Sequence, residues 1–110
     1  MFVEPDADVV ERIPRTGADG IEIYTGGYAT ATREGSPDTQ LRACAAAAQA
    51  ATDRCLVVNI GHDLNLENVP ALVCAIPAIA EASIGHELIA DALEMGFERA
   101  VIAYKAALRL

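Results

Sequence analysis

Basic residues are scarce: eight Lys and Arg stand against sixteen Asp and Glu, a formal charge of −8 that puts the sequence pI near 4.5. A surface of that sign repels phosphate backbones and anionic lipid heads, which argues against nucleic acid or a membrane as partner. Long apolar runs are also missing. The longest, Ala71 to Ala80, is interrupted by Pro77 and falls short of the roughly 18 residues that span a bilayer. The N-terminal stretch holds Phe2, Val3, Glu4 and Asp6 and lacks the basic start and apolar core of an export signal, so a soluble, cytoplasmic protein is expected. The three cysteines, Cys44, Cys55 and Cys74, form no Cys-x-x-Cys pair. Neither a disulfide framework nor a zinc site is expected of them, and reduced thiols in apolar surroundings are. Two histidines without a helical His-x-x-x-His supply too few ligands for a metal site.

What is present is apolar: 53% of the 110 residues are hydrophobic, enough for one packed core, and no linker or low-complexity stretch divides residues 1–110. Phe2-Val3-Glu4 reads as a strand stub ending at Pro5. Asp6 or Asp8 can cap a short helix through Val9, Val10 and Ile13, with Pro14 breaking its last turn and Gly17 ending it. Gly20 to Thr25 alternates in the period of a strand closed by Gly26-Gly27, and a polar loop is expected next. Ser36-Pro37-Asp38 then offers a hydroxyl cap, a first-turn proline and an acid at the positive end of a helix. That helix, Leu41 to Thr52, is alanine-rich, so its thin face can approach a sheet closely. Leu56 to Ile60 reads as a strand, Val69 to Ala75 as a short helix capped by Asn68, and Ala82-Ser83-Ile84 as a brief strand. Two helices finish the chain, Glu87 to Met95 and Phe97 to Leu108, with Gly96 between them. The order βαβαβαβα implies a parallel sheet with right-handed crossovers, an α/β fold.

Chemistry concentrates at strand ends. Asn59-Ile60-Gly61-His62 is echoed by Ser83-Ile84-Gly85-His86, and both Gly-His pairs fall at the carboxyl edge of a parallel sheet, where ligands bind in such folds. Glycine lets a ligand oxygen approach the backbone, and the helix after Gly85 presents free N–H groups to a phosphate. In the plainer reading each glycine makes a turn and each histidine is a polar loop residue. Glu22 lies between Ile21 and Ile23; if the isoleucines face the helices, Glu22 faces the other side, the lumen of a barrel. An exposed glutamate on an open sheet fits the alternation equally. Asn59 shares the inward parity and would bring an amide beside His62. Glu94, Glu98, Arg99, Lys105 and Arg109 read as a solvated helix surface.

Four stretches in this order resemble the pyridoxine 5'-phosphate synthase family: Gly17-Ala18-Asp19-x-Ile21-Glu22-Ile23, Thr25-Gly26-x-Tyr28-Ala29, Val58-Asn59-Ile60-Gly61-His62-x-Leu64 and Ile84-Gly85-His86. The similarity runs from Phe2 to about Leu108. It implies strands five to eight of a (β/α)8 barrel, a half barrel, with a short extra helix after strand eight. It implies condensation of 1-deoxy-D-xylulose 5-phosphate with 3-amino-2-oxopropyl phosphate to pyridoxine 5'-phosphate, with release of phosphate and water and with no cofactor. On the matching positions, His62 is the family's proton donor, Glu22 a lumen glutamate that stabilises the transition state, and Asp63, Gly85 and His86 surround the phosphate of the amino-ketone. The proton-accepting groups of the family belong to the first four strands, and its members are expected as homo-oligomers. The sequence departs from the pattern at Asp63, where the family has glycine, at Tyr24 for histidine and Ser83 for asparagine, and by one extra residue between His62 and Gly85. A truncated, catalytically inactive half barrel or a self-associating phosphate-binding module is the alternative these departures leave, and pairing with a separate N-terminal half is a further expectation.

Overall fold

The computed structural model describes residues 1–109. Four strands, β1 (Phe2–Val3), β2 (Gly20–Tyr24), β3 (Val57–Gly61) and β4 (Ile79–Ser83), form one parallel sheet in the order β1-β2-β3-β4. Between them run α1 (Ala7–Val10) with a 3-10 turn at Ile13–Thr16, α2 (Gly26–Arg33), α3 (Asp38–Thr52) and α4 (Val69–Ala75), and after β4 come α5 (His86–Met95) and α6 (Phe97–Ala107). Sequential parallel pairing with helices between the strands is the arc of a barrel with half its strands.

Alternation along the strands decides which side is core. Ile21, Ile23, Val58 and Ile60 are buried beneath α3, whose Cys44, Ala47, Ala48 and Ala51 present short side chains to the sheet. Val10, Ile13, Tyr28, Leu64, Val69 and Leu72 belong to the same cluster. The opposite face carries Phe2, 71% exposed, and Val57, 51% exposed, so the concave side is open. There the register lines Phe2, Glu22, Asn59 and Glu81 up as one row across all four strands.

Local chemistry explains the boundaries. The Asp6 carboxylate accepts from the amides of Asp8 and Val9 and caps α1. Pro14 falls in the first turn of the 3-10 segment, which Gly17 ends at a φ of 79°. Three expectations are corrected. Residues 26–33 are a helix rather than a polar loop, since Tyr28 and Ala29 are buried and hold it against the core despite two glycines in its first turn. Ser36 does not cap α3; Pro37 takes the cap position and no side chain bonds the free amides. Strand β4 spans Ile79–Ser83, leaving Ile84 outside it.

The last two helices pack chiefly on each other, with Ala92, Ala100 and Tyr104 buried. The Tyr104 hydroxyl donates to Asp91 Oδ2 at 2.7 Å. Burial, then that bond and the charge of Asp91, push the Tyr104 hydroxyl well above its ordinary value. Phe97 is 60% exposed and Leu93 82% exposed. Only Cys44 lies in apolar surroundings, and burial pushes its thiol up to about 11; Cys55 and Cys74 are exposed, against expectation. Among the described residues no helix is long and apolar enough to cross a membrane.

Candidate functional site

Every strand of a parallel sheet delivers its carboxyl end to the same edge, and the turns that follow must reverse there. At this edge a pocket of about 660 Å³ opens, lined among others by Phe2, Glu22, His62, Asp63, Ser83 and His86. Gly85 lines it as well, so all five residues expected to carry function meet in one place. A shallower pocket of about 500 Å³ continues along the concave face past Glu22 to Val57 and Asn59.

Glu22 is half-buried on the concave face, and the Ser83 hydroxyl donates to its Oε2 at 3.1 Å. Gly61 makes room for it: a Cβ there would overlap the Glu22 carboxylate and crowd Ser83. One strand over, Asn59 does not stand beside His62. Its Nδ2 turns to Glu81 Oε2 at 3.5 Å, a contact at the limit of a hydrogen bond. Its Oδ1 is buried with no donor among the described residues.

His62 and Asp63 follow β3 with φ values of 93° and 56°, a region that L side chains rarely adopt. The His62 ring lies 4.8 Å from the Tyr24 ring at a tilt of 58°, and 6.4 Å from Phe2, edge to face. The imidazole thus stands between two aromatics at the pocket rim. Across the opening, Gly85 caps α5, which begins at His86, one residue earlier than expected. The first amides of that helix lack carbonyl partners within it and direct a positive dipole end at the cavity. The carboxylates of Glu22, Asp63 and Glu87 leave the lining net acidic even with both of its histidines charged. Among the described residues no group of three His, Cys, Asp or Glu side chains is placed to hold a metal ion.

Three residues near the site escaped the sequence reading. Thr25 and Asn68 are buried polar side chains beneath the His62 turn. Thr25 stood out only within the Thr25-Gly26-x-Tyr28-Ala29 stretch, and Asn68 only as a helix cap. Phe2 gave no sign of contact with a histidine sixty positions away.

A parallel βα arc with a pocket of ionisable side chains beyond the carboxyl ends of its strands is the architecture of half a TIM barrel. The chain belongs to the family described as "Pyridoxal phosphate biosynthesis protein PdxJ", a TIM-barrel family whose model matches residues 1–110. It is 44% identical over 104 residues to "Pyridoxine 5'-phosphate synthase" of Albidiferax ferrireducens, which covers 94% of this chain and 41% of that relative. Proteins of the same description from Brucella suis and Brucella melitensis are 47% identical over 109 residues, 98% of this chain and 44% of theirs. The chain therefore spans less than half the length of these curated relatives.

Proposed function

We propose that this chain carries the C-terminal half of a pyridoxine 5'-phosphate synthase site. The observation that supports this most is the convergence of Glu22, His62, Asp63, Gly85 and His86 on one pocket at the carboxyl edge of the sheet. In this reading the phosphate of 3-amino-2-oxopropyl phosphate sits at the N-terminus of α5, where free amides and the dipole favour an anion and His86 supplies a further donor. Joining its amine to the ketone of 1-deoxy-D-xylulose 5-phosphate expels the carbonyl oxygen as water, and His62 gives that oxygen its proton. Positive charge then develops on the nitrogen, and Glu22, fixed by Ser83, stabilises it from the lumen. Groups that accept protons come from the remaining barrel strands. We place the reaction in the cytoplasm, where charged phosphorylated intermediates are retained because they do not cross the apolar membrane. Pairing of the open β1 and β4 edges, with those remaining strands or in a homo-oligomer, belongs to the same proposal.

A second reading, a non-catalytic phosphate-binding module, draws on the acidic lining: Asp63 stands where the family has glycine, and its carboxylate opposes a bound phosphate. Turnover with both substrates separates the two. Product formation that disappears in His62→Ala supports the synthase reading; no product, with saturable binding of inorganic phosphate, leaves the module.

A further inference from the structure

We propose that Thr25 and Asn68 are positioning residues that hold His62 and Asp63 in left-handed backbone conformations and thereby aim the His62 imidazole into the pocket. The proposal rests on the reading of that pocket as a phosphate site with His62 as proton donor.

Three successive carbonyls at the end of β3 lie within hydrogen-bond reach of two buried side-chain donors. Thr25 Oγ1 lies 2.7 Å from the oxygens of both Gly61 and His62 and shares its one proton between them, and Asn68 Nδ2 donates to the oxygen of Asp63 at 3.0 Å. The Thr25 amide adds a bond to Gly61 O at 2.9 Å. Thr25 is fully buried and Asn68 is 2% exposed, so water cannot replace either donor. Asn68 is fixed in turn: its Oδ1 accepts from the Asn65 amide at 2.9 Å, and the buried Tyr28 hydroxyl donates to its backbone oxygen at 2.7 Å.

Two consecutive non-glycine residues at φ of 93° and 56° persist only where the surroundings over-determine them. The donors below do so. They draw the carbonyls of residues 61–63 toward the core, which leaves the His62 side chain on the opposite side, against the Tyr24 ring and in the pocket. Without them the turn relaxes to negative φ, the peptide planes rotate, and the imidazole leaves its place. Thr25 thus reaches across 37 residues of sequence to set the His62 imidazole through that residue's backbone oxygen.

Isotope-labelled protein titrated with inorganic phosphate tests this by NMR. Thr25→Val keeps the volume and removes the donor; Thr25→Ser keeps the donor. We expect Thr25→Val to move the His62 ring signals, to speed exchange of the Asp63 and Leu64 amides relative to β2 and β3, and to weaken phosphate binding about tenfold. Thr25→Ser is expected to stay within about twofold of the parent, since the bond survives. Asn68→Asp keeps the oxygen that serves Asn65 and loses the donor to Asp63, so its changes should centre on Asp63. Parent-like His62 signals and amide exchange in Thr25→Val overturn the proposal; if that variant does not fold, parent-like Asp63 and His62 signals in Asn68→Asp overturn it. Failure of the parent protein to bind phosphate sinks the phosphate reading alone, because the ring signals and exchange rates still judge the positioning role.

Discussion

Asp63 pairs a side chain with a φ of 56°, in a pocket whose expected ligand shares its charge. Glycine at this position relieves both conflicts. Asp63→Gly is expected to leave stability unchanged or raise it by up to about 1 kcal/mol, the gain in the turn offsetting the added freedom of the unfolded chain. It should also tighten binding of inorganic phosphate; urea titration and calorimetry read the two effects. The thiols sort by burial. At pH 8 iodoacetamide should modify Cys55 and Cys74 within minutes and Cys44 only after unfolding. The unfolded chain loses the Cys44 proton near the ordinary value of 9.0, whereas the fold keeps it to about 11. Stability that is complete below pH 9 should therefore decline as pH rises through 11, visible as a falling Tm. Glu22 and both Gly-His pairs were legible because strand parity and strand ends are local properties of sequence. Thr25 and Asn68 were not, since their work is done on carbonyls of a distant turn and no spacing rule records it.

The α5–α6 pair depends on itself more than on the sheet, which makes the bond from Tyr104 to Asp91 its main polar tie. Tyr104→Phe leaves the ring in place and removes that bond, at an expected loss of about 1–2 kcal/mol in urea unfolding. Carboxylate-assisted bonding and burial together explain why the effect should exceed that of an exposed tyrosine. Periodicity located β2 and β3 within a residue and α3 within three, because alanine runs and alternating isoleucines are unambiguous. It failed at α2, where Gly26-Gly27 looks like a stop and the helix is held by the burial of Tyr28. It also failed at the start of β4, since Ile79-Ala80-Glu81 carries little β-branched content and is a strand only through pairing with β3.

At the level of the molecule, open edges and exposed apolar groups coexist with a charge of −8. Ile89, Leu93, Phe97 and Ile102 form exposed apolar surface on the terminal helices, and Phe2 and Val57 do so on the concave face. Light scattering of the purified chain should show mass rising with concentration, more strongly in salt as charge repulsion is screened. Leu93→Glu together with Phe97→Lys should reduce the rise without lowering Tm, because neither side chain is buried.

The parallel ladder also sets how fast the molecule can form. Its bridges join Phe2 to Glu22, Gly20 to Val57 and Val58 to Ile79, with no hairpin among them. Each pairing must close a long loop, and so absorb chain entropy, before any sheet contact repays it. High contact order therefore predicts a steep folding barrier and a refolding limb slower than helical domains of this size show. On the ribosome, β2 has only the two-residue β1 as a strand neighbour until the whole of α3 and then β3 have emerged.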